Sequence, residues 1–314
     1  MMSILIKELQ DGFKGTITVL VISVNKGITA KGAPYLSFMF QDKSGNIDAK
    51  YWNVSEDMLY RFSPGMIVEV TGDVLNHQKQ LQFRVQKMKE AEGEINVSDY
   101  VKEGPYSQKI LKEQITQYLD SIKNPIMHKI VSEILNDHKD AFYEYPAATR
   151  NHHDFYSGLA THVLGMLKLA QQLCQLYPML DQDLLYSGVL LHDIGKTVEL
   201  SGAIASEYTV EGKLIGHISI MQAEIMAKAK ELHLDDSEEV MLLRHMVLSH
   251  HGVYEYGSPV LPMIPEAEML YMIDNIDARM NTIQKAFEPV SEGEFTPRIF
   301  ALENRSFYKS KYKK

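Results

Sequence analysis

The sequence predicts a two-part β + α chain, with a five-stranded β-barrel in the first 93 residues followed by an all-α bundle. Three observations predict it. Residues 14–90 alternate apolar and polar with period two and are cut by turn signals. From Ser107 onward the apolar spacing becomes helical. Between them, residues 94–106 are polar and irregular around Gly104-Pro105, as a linker is. The expected plan is a barrel over 1–93, a linker and first helix over 94–124, a helical domain over 125–290, and a basic, aromatic tail over 291–314.

The strands follow in order. Thr16 to Val24 is rich in β-branched residues. Tyr35 to Phe40 follows the turn signal Lys31-Gly32-Ala33-Pro34. The turn Asp42-Lys43-Ser44-Gly45-Asn46 leads into Ile47 to Trp52. Ile67 to Val74 and Leu81 to Val85 complete the set, separated by a polar turn from Asn76 to Gln80. Five strands in about 75 residues match the count and size of an OB-fold. Helices are expected near 107–122, 125–140, 158–177, 181–193, 217–232, 236–251 and 265–287. The basic tail from Arg305 reads as a frayed, solvated end before it reads as a further phosphate contact.

A net charge of −9 argues against a protein that coats nucleic acid by bulk charge. The charge is uneven. Residues 1–93 carry 11 Lys+Arg against 10 Asp+Glu, and the remainder carries 21 against 31. An acidic domain still acts on phosphodiesters when cations sit among its carboxylates. The single cysteine, Cys174, excludes an internal disulfide and fits a reducing, cytoplasmic setting. The N-terminus shows no secretory pattern, and no apolar run is long enough to span a bilayer, so no membrane partner is expected. Oligomeric state stays open.

The bundle carries a dispersed set of His and Asp. His192-Asp193 ends an apolar helix in Leu190-Leu191-His192-Asp193-Ile194-Gly195-Lys196. His162 shares a helical face with Leu159, Val163, Met166 and Ala170, so its ring is expected to point inward. Asp274 follows Ala267 by seven and Leu270 by four, and Asp277 lies on the same side. His250 follows Leu243 by seven, with His251 beside it, and His217 opens a helix. A lone inward His is usually a packed core residue. Such positions on four or five successive helices are a different matter, because a buried charge needs a cation or strong donors. Neutral imidazoles with carboxylates suit Mn²⁺, Fe²⁺, Zn²⁺ or Ni²⁺, and helical bundles place such sites in their cores.

The ordered series His162, His192-Asp193, His217, His250-His251 and Asp274 resembles the HD superfamily of metal-dependent phosphohydrolases over roughly residues 150–285. The resemblance implies two divalent ions, Mn²⁺ first among the candidates. It carries His162, His192, Asp193 and Asp274 onto one ion, and Asp193, His217 and His250 onto the other, with Asp193 shared and His251 alongside. With an OB-like N-terminal domain, the segments Asn151 to His162, Glu207 to His217 and Ser249-His250-His251-Gly252 resemble the YhaM-type 3′→5′ exoribonucleases of Gram-positive bacteria. Ala160-Thr161 stand where relatives are expected to carry Leu-Glu. This resemblance implies exonucleolytic cleavage of single-stranded RNA, and single-stranded DNA is a further candidate substrate.

Paired ions stabilise both oxygens of an in-line displacement at phosphorus. Asp193 is the expected shared ligand and orienting acceptor. Lys196, three residues on, is placed to neutralise a phosphate oxygen. His153, with His152, is a candidate to contact phosphate or protonate the leaving oxygen. Arg279 is a weaker phosphate candidate that alternatively pairs with a carboxylate. On the barrel, outward Tyr35, Phe38 and Trp52 with Lys31, Lys50 and Arg84 are the expected nucleic-acid contacts. Two other functions stay open on sequence: a phosphohydrolase of a small nucleotide (a dNTP or cyclic nucleotide), and a non-enzymatic single-strand-binding or replication factor.

Overall fold

The computed structural model describes residues 4–77, 80–93, 99–101, 104–147, 155–204 and 206–312. The chain divides into two compact units, one of residues 1–104 with the short segment 202–206, the other of the remaining residues.

The first unit is a closed barrel of β1 (Lys14–Ile28), β2 (Pro34–Asp42), β3 (Gly45–Trp52), β4 (Ile67–His77) and β5 (Gln80–Glu90), in the order β1-β2-β3-β5-β4. The long β1 pairs with β4 along its first half and β2 along its second, with a bulge between Val21 and Ser23. A bulge bends a strand, which lets one strand serve both sides of a small barrel. β3 and β5 close the ring in parallel register, Ala49 opposite Phe83. Period two sends Leu36, Phe38 and Phe40 of β2 inward, with Ile17, Val19, Val68, Val70, Phe83 and Val85 from the other strands. The expected strands all form, and each runs longer than its apolar core.

The second unit contains α1 (Gln108–Asp120), α2 (Pro125–Asp137), α3 (Lys139–Glu144), α4 (Gly158–Leu176), α5 (Gln182–Leu191), α6 (Lys196–Glu199), α7 (Val210–Ile215), α8 (His217–Glu231), α9 (Glu238–Ser249) and α10 (Pro265–Phe287). Local chemistry sets several starts. Ser107, Asn124, Asp181, Thr209 and Ser237 cap α1, α2, α5, α7 and α9 by accepting backbone N–H groups. Pro125 and Pro265 stand in the first turns of α2 and α10, where a missing N–H costs nothing. One core joins these helices through Leu111, Ile130, Ile134, Leu159, Val163, Leu185, Val189, Met221, Ile225, Leu243, Val247, Leu270 and Ile273. The seven expected helices form, while the short α3, α6 and α7 were not expected.

The tail is not frayed over its described part. Phe295 bridges Tyr308, the backbone N–H of Thr296 donates to the Phe307 carbonyl, and Gly293 N–H donates to the Lys309 carbonyl. Lys309 Nζ donates to the carbonyls of Phe287 and Val290, at 2.8 and 2.6 Å. The Phe287 carbonyl ends α10 and that of Val290 lies three residues beyond, at the helix C-terminus where a cation is favoured. The basic residue that suggested a solvated end is what folds the chain back. Among the described residues, no helix is long and apolar enough to cross a membrane.

Candidate metal centre

α4, α5, α8, α9 and α10 each bring side chains to one point in the bundle core. His162 lies on the inner face of α4, four residues before Met166, and both are fully buried. His192 caps the C-terminus of α5, with Asp193 next to it, and their relative exposures are 0% and 2%. His217 is the first residue of α8, and His250 caps α9 with His251 following. Asp274 and Asp277 lie on α10, beside the buried stripe of Ala267, Leu270 and Ile273.

Asp193 stands between two groups of ligands. Its Oδ2 is 3.3 Å from His192 Nε2 and 3.9 Å from His162 Nε2, and His162 Nε2 is 3.3 Å from Asp274 Oδ1. Its Oδ1 is 3.5 Å from His217 Nε2 and 3.8 Å from His250 Nε2. The donor atoms of His162, His192 and Asp193 lie within 4.8 Å of one another, and so do those of His217, His250 and His251. Ligand atoms at about 2.0–2.2 Å from a metal stand about 2.9–3.6 Å apart. The observed spacings fall within that range or slightly beyond it.

The far sides of the rings explain their orientation. His192 Nδ1 donates to the Val189 carbonyl at 2.9 Å, His250 Nδ1 to Val247 at 2.6 Å, and His251 Nδ1 to Tyr256 at 2.6 Å. His162 Nδ1 donates to Asp277 Oδ2 at 2.7 Å, and His217 Nδ1 to Glu199 Oε1 at 3.1 Å. With Nδ1 as donor, each ring in its neutral form presents the Nε2 lone pair to the centre. Among the described residues, His192 Nε2, His217 Nε2, His250 Nε2 and Asp193 Oδ1 are buried side-chain atoms without a hydrogen-bond partner. Such an atom costs about 1–3 kcal/mol. Four of them facing one spot fit divalent cations, as does the donor chemistry of imidazole and carboxylate.

The electrostatics agree. Burial opposes the charge on His162, but Asp274 and Asp277 outweigh it and push its pKa up to about 10. The carboxylates that draw a proton to this ring also draw a cation. Burial, with His251 and His192 nearby, holds His250 well below its usual value, and burial lowers His251, so both rings are neutral donors at neutral pH. Burial works against ionisation of Asp193, yet Lys196 and His192 keep its carboxyl well below the usual range. Lys196 Nζ is 2.7 Å from Asp193 Oδ2. Burial works against its charge too, but Asp193 holds its pKa above the ordinary lysine value.

The structure therefore brings His162, His192, Asp193, His217, His250, His251 and Asp274 together, with Lys196 beside them. His153 and His152 lie outside the described residues. Asp277 backs His162 from the side away from Asp193. Arg279 forks onto Glu303 of the tail at 2.9 and 3.0 Å. Glu199 had no signal in the sequence. It lies eighteen residues before His217, in a short helix outside any clear periodic run, and contacts it only because the chain turns back.

The barrel residues sort by face. Tyr35 and Trp52 lie opposite each other on β2 and β3, with ring centroids 4.7 Å apart. Trp52 is 41% exposed. Lys50 contacts Ser37 and lies 5.2 Å from the Tyr35 ring. Lys26 lies over the exposed Tyr60 ring at 3.3 Å, a pair that strand reading alone missed. Lys31 is exposed in the β1–β2 turn. Phe38 is a correction. At 2% exposure, it packs on Phe40 and Phe62 inside the barrel, because period two puts it in register with Leu36 and Phe40. Arg84 holds Asp73 with two hydrogen bonds, at 3.0 and 2.6 Å, which holds its guanidinium against the barrel.

Comparison with known proteins fits both units. Residues 159–279 match the HD domain family, and residues 15–91 match an OB-fold nucleic acid binding domain family. Among similar solved structures is the second OB-fold domain of replication protein A from Methanococcus maripaludis. It is 25% identical over 30% of this chain and 100% of its own, with a TM-score of 0.25. A crystal structure of a domain of that protein is 27% identical over 29% of this chain and 97% of its own, with a TM-score of 0.26. The single-stranded DNA binding protein from Thermus aquaticus is 9% identical over 27% of this chain and 43% of its own, with a TM-score of 0.24. The family matches and the metal-ligand geometry lead to one statement: this chain joins an OB-fold nucleic-acid-binding domain to an HD phosphohydrolase domain.

Proposed function

We propose that the protein is a metal-dependent 3′→5′ exoribonuclease that hydrolyses single-stranded RNA, with single-stranded DNA as a second substrate. One observation carries the reading: the two oxygens of Asp193 face two separate groups of histidines. A shared carboxylate between two ligand groups is the arrangement needed for two ions in one phosphodiester site.

His162, His192, Asp193 and Asp274 would hold one ion, and Asp193, His217, His250 and His251 the other. When bound, the pair supplies Lewis acidity and lowers the pKa of water for attack on phosphorus. The chain's own groups do the rest. Asp193 orients by accepting hydrogen bonds, and Lys196 offsets charge on a phosphate oxygen. The buried walls of the bundle keep bulk water from the ligands. His153 is proposed to contact the phosphate or the leaving oxygen.

The barrel supplies the reason for a polymeric substrate. Trp52 is exposed and packs against the half-buried ring of Tyr35, and Lys26, Lys31 and Lys50 flank the pair. Stacking of this kind reads single strands with little sequence preference. The 3′→5′ polarity and the preference for RNA rest on the resemblance to YhaM-type enzymes. Cytoplasmic residence is proposed from the single cysteine.

The test is a gel of 5′-labelled single- and double-stranded RNA with Mn²⁺ or chelator. The expected result is a Mn²⁺-dependent ladder of shortened 5′-labelled products on the single strand only. Loss of the label as a mononucleotide from the outset reverses the polarity. No ladder, with hydrolysis of a dNTP or cyclic nucleotide instead, replaces the polymer reading with the small-nucleotide one. Single-strand binding without turnover of either leaves a binding factor.

A further inference from the structure

The five imidazoles at the centre are not backed alike. His192, His250 and His251 donate through Nδ1 to backbone carbonyls. His162 and His217 donate to carboxylates, Asp277 and Glu199 respectively. Each group of ligands around Asp193 thus contains one carboxylate-backed ring. A carboxylate fixes ring orientation more firmly than a carbonyl and makes the ring a stronger donor to a metal.

Both carboxylates sit where the chain leaves room for them. A Cβ at Gly165, one turn after His162, would lie 2.6 Å from Asp277 Oδ1. A Cβ at Gly212 would lie 2.4 Å from the Glu199 carbonyl oxygen and 2.8 Å from its Cγ. A side chain at either position would push the orienting group away. Glu199 also holds more than the ring. Its Oε1 accepts the backbone N–H of His217 at 3.1 Å, so one oxygen pins the start of α8 and the imidazole together.

We infer that Asp277 and Glu199 are positioning residues that set the affinities of the two ions separately, Asp277 through His162 and Glu199 through His217. This rests on the two-ion reading above. Each carboxylate acts through a ring that faces a different oxygen of Asp193. Weakening one ring leaves the other group intact.

The test measures Mn²⁺ binding to the full chain by calorimetry and by metal content after dialysis, with no substrate present. The wild type is expected to bind two ions. Glu199→Gln should weaken one of them by about 10- to 100-fold, the usual cost of losing an orienting partner. Asp277→Asn should weaken the other by a similar factor. Glu199→Asp keeps the charge but falls one methylene short of His217, and it should fall with Glu199→Gln. Circular dichroism in chelator checks that each variant is folded. Backgrounds assign the sites: Glu199→Gln should have no further effect on metal content in His217→Ala, and its full effect in His162→Ala. If the wild type binds one ion, the two-ion reading fails and takes this inference with it. If it binds two and both folded Glu199 variants match it, the inference alone fails. Loss of the same ion in Asp277→Asn and Glu199→Gln also overturns it.

Discussion

In the helical unit the chemistry is buried, and on the barrel it is on the surface. His162, His192 and His250 are fully buried, while Trp52 is 41% and Tyr60 80% exposed. The difference decides how much each region says about function. Buried imidazole and carboxylate atoms are costly unless something binds them, so their convergence has few explanations. Exposed aromatics cost little, and single ones are common on any protein surface. The same contrast predicts what substitutions do. Changes at the centre should act on chemistry. Changes on the barrel's outer face should act on binding, and changes inside the barrel on stability.

The largest expected effect is at Asp193. Asp193→Asn keeps the size but removes the charge that faces both groups of histidines. Turnover of single-stranded RNA should drop by more than about 10³-fold, since metal-ion stabilisation of the transition state is worth several kcal/mol. Metal content should fall with it while the fold persists by circular dichroism. Near-normal Mn²⁺-dependent cleavage by this variant would sink the assignment of the centre.

Lys196 comes next. It holds Asp193 at 2.7 Å and is mostly buried. If it offsets phosphate charge, Lys196→Ala should lower turnover by about 10²- to 10³-fold. The ions should stay bound, which separates this variant from Asp193→Asn. Unchanged turnover would return Lys196 to a structural partner of Asp193.

The barrel supplies a third contrast, between aromatics on one strand. Phe38→Ala removes a ring packed on Phe40 and Phe62 and should destabilise the barrel by about 3–5 kcal/mol. Tyr35→Ala, three residues away on the opposite face, where the ring is half-buried against Trp52, should lower the melting temperature much less. With Trp52→Ala it should weaken single-strand binding by about 1–3 kcal/mol per stacked base. Thermal melting and binding isotherms on the same three variants test the split. Equal binding by the Tyr35→Ala, Trp52→Ala double variant would remove this face from the interface.

The legibility of the sequence follows the same physics. The strands and long helices were readable because burial imposes a period on β2 and on α4 that no loop mimics. The seven metal-ligand candidates were readable because an inward His or Asp breaks such a period. Phe38 was misassigned because an aromatic breaks nothing in an apolar stripe, so identity without parity pointed outward. Glu199 was missed because its role depends on a turn between α6 and α8, and no local spacing records that contact. The tail was misread because its order comes from Lys309 reaching back to α10, which composition presents only as positive charge.

The smallest expected effect distinguishes two cations on the barrel. Lys50 lies beside Tyr35 and contacts Ser37 and that ring. Arg84 is held by both oxygens of Asp73. Each single-strand phosphate contact contributes a slope of about −0.7 in log affinity against log salt. Lys50→Ala should therefore flatten the salt dependence of RNA binding by about that amount. Arg84→Ala should change it less, because contact with a phosphate requires giving up a charged partner whose carboxyl the guanidinium holds below its usual range. Binding isotherms at three or more salt concentrations resolve a difference of this size. If Arg84→Ala flattens the slope as much as Lys50→Ala, the guanidinium exchanges Asp73 for phosphate on binding, and the interface extends from β2 and β3 onto β5.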